Sequence, residues 1–257
     1  MLALITNDDG IASPGIRTLA QAALDAGLDV TVAAPSWDSS GASASLTSVE
    51  RDGRLQVDPV VLEGLEEVDS YAVEAAPAFI VRAAMTGAFG ESPDIVLSGV
   101  NLGPNLGQAV LHSGTVGAAL TAGTLGRPAL AVSIGTGDVH HWVTAREVAT
   151  AAISWLADWG GRTILNVNVP NIAPEDLRGL EPARLASFGA VQAVMTESGA
   201  GYVKLAYEGI DAELEPGTDA ALLAEGIASV TPLRAVCEAD HEGLAIPLLR
   251  PHADAVT

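Results

Sequence analysis

Two adjacent carboxylates, Asp8 and Asp9, end an apolar run in the stretch "LITNDDGIASPG". A turn needs only one Asx residue and a glycine, so the second aspartate has no local reason to be there. Oxygen-bearing side chains recur at three further places: Ser40 in "DSSG", Asn101 in "SGVNLGPNLG", and "HSGT" at 112–115. Asp8, Asp9, Ser40 and Asn101 make an all-oxygen donor set, which suits Mg²⁺ or Mn²⁺ rather than zinc with its preference for imidazole and thiolate. One divalent ion also relieves the repulsion between neighbouring carboxylates. Ser113, Gly114 and Thr115, with Gly99, Gly103 and Gly107 nearby in sequence, suit an anion. Glycines let backbone N–H groups approach oxygens, and a helix N-terminus favours negative charge. A cation beside an anion cradle is the equipment of phosphoryl transfer or phosphate-ester hydrolysis. Taken singly, each motif also fits an ordinary capped turn or loop. The glycines match neither a Walker A loop, for want of lysine, nor the GxGxxG fingerprint. Of the scattered histidines only His112 adjoins this chemistry, and Trp37 offers either a stacking surface for a base or a packing role.

The elements that must position these residues follow from the pattern. Apolar strands are expected at 2–6, 29–34, 94–99, 129–134 and 163–169, and helices at 14–26, 78–90, 115–125 and 143–158, with a Ser/Gly-rich loop at 36–48. Repeated strand–helix alternation predicts a doubly wound, mostly parallel sheet. Ligands of such sheets bind beyond the carboxyl ends of the strands, which places all four oxygen-rich segments along one rim. After Pro170 the rhythm changes. Segment 175–216, with "GYVKLAY", reads as a largely antiparallel extension, and "SVTPL" at 229–233 as a last strand. The expected organisation is an α/β catalytic core at 1–174, the extension at 175–216, and a C-terminal segment at 217–257 that returns to the core.

With 257 residues, 49% of them hydrophobic, the chain can build a sizeable core without staples. A net charge of -20 with only 12 basic residues, none clustered, excludes a nucleic-acid polymer as partner. Cys237, the single cysteine, has no intramolecular partner and agrees with a reducing compartment. Met1 leads directly into a strand pattern, and no uninterrupted apolar run of about 18 residues is present. A cytoplasmic protein with no membrane span is expected.

Read together, the segments resemble the stationary-phase survival protein SurE family of divalent-metal-dependent 5'/3'-nucleotidases. The resemblance rests on "TNDDGI", "AP" followed by "SGAS", "SGVNLGPNLG", "SGTVGAA", "RPALAVS", "LNVNVP" and "TDAALLAEGIASVTPL", which occur in order over nearly the whole chain. It implies a Rossmann-like core and one divalent ion, Mg or Mn, per subunit, held by Asp8, Asp9, Ser40 and Asn101. It further implies that Asn105 and Ser113-Gly114-Thr115 lie near the substrate phosphate, and that the extension mediates a homodimer or homotetramer, often by swapping. Departures occur at Ala75-Ala76-Pro77-Ala78-Phe79-Ile80-Val81, where the family usually has a "GTPADCV"-like stretch, at His112 in place of tyrosine, and at Ala122-Gly123 in place of "EG". The expectation is a metal-dependent phosphomonoesterase that hydrolyses nucleoside 5'- or 3'-monophosphates to nucleoside and phosphate, with Asp8 and Asp9 catalytic. The alternative is a paralogue that binds metal and nucleotide as a sensor or scaffold, motivated by the 75–81 departure. A nicotinamide-dependent oxidoreductase is disfavoured by the missing fingerprint.

Overall fold

Strands buried on both faces read as unbroken apolar runs, and "LALIT" is one. A computed structural model describes residues 1–159, 161–187, 191–199, 202–209 and 214–237. In chain order its elements are β1 (Leu2–Thr6), α1 (Pro14–Asp25), β2 (Asp29–Pro35), β3 (Glu50–Arg51), β4 (Arg54–Leu55), β5 (Val57–Val60), β6 (Ser70–Val73) and α2 (Pro77–Met85). They continue with β7 (Ile95–Leu102), α3 (Gly114–Thr124), β8 (Ala129–Ile134), α4 (Trp142–Trp159), β9 (Ile164–Val169), β10 (Leu180–Pro182), β11 (Val191–Gly199), β12 (Tyr202–Gly209), α5 (Asp219–Ala224) and β13 (Ala228–Leu233).

The main sheet has the order β10-β13-β9-β8-β7-β1-β2-β6-β5. From β9 to β6 every neighbouring pair is parallel. Antiparallel pairings occur towards the edges, between β5 and β6 and between β13 and β9. Helices α1 and α4 bury Ile16, Leu19, Ala145, Ile153 and Leu156 against one face, which offers Ile5, Val32, Leu97 and Leu130. On the other face, α2 and α3 bury Ile80, Val81, Val116 and Ala119 against Leu4, Ala33, Val96 and Ala131. The fold is therefore the expected mixed α/β, doubly wound and mostly parallel. The chain moves from β1 outward to β2 and β6, then returns to β7 on the other side of β1. That reversal puts the topological switch point between the ends of β1 and β7.

Several boundaries differ from the sequence reading. Helix α2 stops at Met85 rather than running to 90, because Gly87 takes a positive φ of 84° and Thr86 Oγ1 donates to the Ala83 carbonyl. Strand β7 does not end at Gly99 but continues to Leu102 through a bulge. Ser98 pairs with Ala131 and Asn101 with Ser133, so β7 carries one extra residue there. Gly99 makes this possible: its φ is +131°, and a Cβ would collide with the Val132 carbonyl. Segment 175–216 divides. Strand β10 joins the main sheet beside β13 in parallel, while β11 and β12 form a separate antiparallel pair. Strand β13 brings the C-terminal segment back against β9, and residues 238–257 lie outside the described residues.

Candidate active site

The turn after β1 is built by Asn7, which is fully buried. Its Nδ2 donates to the Gly10 carbonyl at 3.0 Å and to Ser13 Oγ at 2.7 Å. That closure turns Asp8 and Asp9 out over the end of the sheet. The loop after β2 is drawn in by Ser39, whose N–H and hydroxyl donate to the Asp8 carbonyl at 2.7 and 3.2 Å. Ser43 Oγ donates to the Leu111 carbonyl at 2.6 Å and anchors the same loop on the opposite wall.

Asp8, Ser40, Asn101, Asn105 and Ser113 line one open cavity of about 300 Å³, with His112 at its edge. Asp9 does not line this cavity; it adjoins the lining residue Leu102, whose N–H donates to Asp9 Oδ2 at 3.3 Å. Thr115 lies behind the cavity wall, fully buried, and donates its hydroxyl to Asp8 Oδ1, with Asn101 Oδ1 only 3.4 Å from the same oxygen. One hydroxyl has one proton, so Thr115 serves the Asp8 carboxylate and leaves lone pairs of Asn101 Oδ1 for another partner. Ser40 donates its hydroxyl proton to Asp38 Oδ1 at 2.6 Å, leaving its lone pairs free. Among the described residues no group of three or more His, Cys, Asp or Glu is placed to hold a metal. The donor set here is instead two carboxylates completed by a hydroxyl and an amide oxygen, a hard-oxygen chemistry that fits Mg²⁺ or Mn²⁺.

The electrostatics agree with that chemistry. Burial pushes the Asp8 carboxyl above its ordinary range, opposed by the Thr115 hydroxyl and by the N–H groups of Asp8, Thr115 and Gly114. Burial and then repulsion from Asp8 push Asp9 up to about 6; the Leu102 N–H opposes this, and Asp38 adds to the rise. Asp38 itself is held low by the hydroxyl and N–H of Ser40. Neither this cavity nor the adjoining one carries a lysine or arginine in its lining. The N-terminus of α3 thus serves Asp8 first. A Cβ at Gly114 would lie 2.7 Å from Asp8 Oδ2. Of the expected Ser113-Gly114-Thr115 cradle, only Ser113 lines the cavity.

The family model for survival protein SurE matches residues 3–190 of this chain. This chain belongs to the SurE family. A 5'-nucleotidase SurE of Methylococcus capsulatus is 39% identical over 236 residues, covering 90% of each chain. That of Halorhodospira halophila is 38% identical over 240 residues, covering 91% of this chain and 92% of its own. The crystal structure of the SurE protein from Aquifex aeolicus superposes with a TM-score of 0.76 at 30% identity, covering 91% of this chain and 93% of that one.

Four residues around this candidate site, Ser133, Asn166, Asn168 and Asp38, escaped the sequence reading. Asn105 is held from beneath: its N–H donates to Asn168 Oδ1 at 2.8 Å, and its carbonyl accepts from Asn166 and Asn168 Nδ2, each at 2.9 Å. Its side chain meets Ser133 Oγ at 2.8 Å. The signal for Asn166 and Asn168 is the alternation in "LNVNV", polar at every second position of a strand that is covered on both faces. Asp38, which orients Ser40, sat next to a chosen ligand without a role assigned to it.

Proposed function

We propose that this chain is a divalent-metal-dependent nucleotidase that hydrolyses nucleoside 5'- or 3'-monophosphates, using one Mg²⁺ or Mn²⁺ held by Asp8, Asp9, Ser40 and Asn101. One observation carries the reading: Asp8, its carboxyl raised by burial, lines a cavity with Ser40, Asn101 and Asn105 and no lysine or arginine, and the raised Asp9 adjoins it through Leu102. A phosphate dianion is repelled from such a place unless a cation sits between. A divalent ion there supplies Lewis acidity towards phosphoryl oxygens and acidifies a water for attack. Asp9, the less buried carboxylate, would orient such a water and take up its proton. Asn105 and the Ser113 hydroxyl hold phosphoryl oxygens on the far wall. The names of the relatives, 5'-nucleotidase SurE, support the same substrate class.

The nucleoside lies next door in this reading. A second groove of about 310 Å³ shares Ser40 and Gly41 with the first and is lined by Trp37, Ser45, Thr47 and Ala76. It combines an aromatic face for a base with hydroxyls for a sugar, and has no charge. The departed segment 75–81 reaches the site only through Ala76, while Ile80 and Val81 are fully buried in the α2 core. Nothing in its placement favours a non-catalytic binder. The β11–β12 pair stands apart from the main sheet and exposes Met195 and Val203. A lone hairpin is marginal in water, which supports a homodimer or homotetramer built through it. The exposed lone Cys237 fits the cytoplasm.

The test is phosphate release from a panel of nucleoside 5'- and 3'-monophosphates and a non-nucleoside ester, with Mn²⁺, with Mg²⁺, and with EDTA. Release that needs the ion and favours nucleotides is expected. Metal-dependent nucleotide binding without any phosphate release would refute the catalytic reading.

A further inference from the structure

One buried acid takes no part in the chemistry above. Asp219, at the first position of α5, is fully buried. Its Oδ2 accepts the Gly107 N–H at 2.8 Å, and its Oδ1 accepts the N–H groups of Ala186 and Ala220, each at 2.9 Å. Three pieces of chain that are remote in sequence thus meet on one side chain. Two belong to the C-terminal third, and the third is the loop that carries Asn105.

The loop's other holds lie upstream of Gly107, and one of them is the Gly103 carbonyl, which accepts from Asn101 Nδ2 at 2.6 Å. The ladder of β7 ends at Leu102, and the 3-10 turn that follows begins at Gly107. Between them Gly103 N–H bonds to the Ile134 carbonyl at 3.0 Å, and Asn105 rests on the side chains of Ser133, Asn166 and Asn168. Gly107, with φ +55°, turns the chain out of that rest and sends its N–H to Asp219. Asn105 is therefore fixed from below by β9 and from two residues downstream by Asp219. The choice of residue matters. Asparagine at 219 would keep one acceptor oxygen and point an N–H₂ at a backbone N–H on the other side.

We propose that Asp219 is a positioning residue, which sets the substrate loop 103–107 on the C-terminal segment and thereby places Asn105 against the phosphate. The role of Asn105 rests on the nucleotidase reading; the tethering of the loop does not.

The experiment uses the full chain and two readouts. In wild-type protein, amide hydrogen exchange is followed by mass spectrometry for peptides covering 103–107, 218–233 and β1. Tethering requires 103–107 to be protected and to open together with 218–233 as denaturant is added. Fast exchange at 103–107 while 218–233 stays protected overturns it, whether or not any variant folds. In Asp219→Asn, exchange at 103–107 rises about 10-fold with β1 unchanged. The KM for a nucleoside monophosphate and the inhibition constant of inorganic phosphate rise by a similar factor, while kcat and Mn²⁺ affinity stay within about 2-fold. Unchanged exchange at 103–107 in that variant, or equal acceleration everywhere, overturns the positioning role. A wild-type chain that hydrolyses no nucleotide yet shows joint protection sinks the nucleotidase reading and leaves the tether standing.

Discussion

The two faces of the main sheet are made by the same strands and treat polarity in opposite ways. Towards α1 and α4 the strand ends present Ile5, Leu97, Val132, Ile134, Val167 and Val169. Towards α2 and α3, one residue along, they present Thr6, Ser98, Ser133, Asn166 and Asn168, all fully buried. Several of those polar atoms are unanswered. Thr6 Oγ1, Ser98 Oγ, Asn166 Oδ1, and on β13 Ser229 Oγ and Thr231 Oγ1 find no hydrogen-bond partner among the described residues. An unsatisfied buried polar group costs about 1–3 kcal/mol. Both faces bury an apolar core, but the α2–α3 face gives up some of that stability at its strand ends, beneath the loop that carries Asn105.

The contrast can be broken from either side. The largest effect is expected for Asp8→Asn or Asp9→Asn, which bring metal-dependent phosphate release to background. Because both carboxylates are destabilised by burial, the same variants should melt at an equal or higher temperature in EDTA. A lower melting temperature would show that the pair is structural. On the apolar face Leu97→Ala should do the reverse, losing about 2–5 kcal/mol in denaturant unfolding. Its kcat and KM should be unchanged well below its transition. A matching loss of activity there would mean that the two faces are not separable.

A third expectation concerns pH. The folded state holds protons on Asp8 and Asp9 that the unfolded chain releases, for Asp9 between 3.8 and about 6. The carboxyls therefore add stability at the acid end, and that contribution is lost as pH rises through about 6. In EDTA, the melting temperature of the wild type relative to Asp9→Asn should fall as pH is raised from 4.5 to 7. Mn²⁺ competes with the same protons, so its affinity should drop roughly tenfold per pH unit below about 6. A flat profile by calorimetry and Mn²⁺ titration would remove Asp9 from the site. The smallest effect is expected for Thr231→Val, which replaces an unpartnered hydroxyl by a methyl group of the same shape. A gain of about 1 kcal/mol in unfolding free energy checks it.

What could be read in advance follows the same division. The run in β1 and the alternation of strands with helices announce a sheet covered on both faces, because burial on both sides leaves continuous apolar sequence. Asp8, Asp9, Ser40 and Asn101 were readable because each stands at a strand exit, where chain order already places it on the rim. Residues that act across distance were not. Asn166 and Asn168 support Asn105 from about 60 positions away, and an alternating strand reads equally well as a half-exposed edge. Thr115 looked like a phosphate ligand because only packing shows that Asp8 stands between it and the cavity. Strands β3–β6 are at most four residues long, β3–β5 carry charges and β5 carries Pro59, a residue tolerated on an edge, so no period marks them. The C-terminal segment proved easier to place as strand β13 than the preceding 175–216, where β10 joins the main sheet and the hairpin does not.

The bond between Asp219 and Gly107 spans 112 positions of sequence, and this bears on how the protein is made. A nascent chain that has emerged as far as β9 already owns every candidate ligand and the support of Asn166 and Asn168 beneath Asn105, yet the same loop still lacks its downstream anchor. The downstream anchor arrives only when the chain has reached Asp219. In this scheme the carboxylates are present early, and the second hold on the loop bearing Asn105 comes only after Asp219 has been added to the chain.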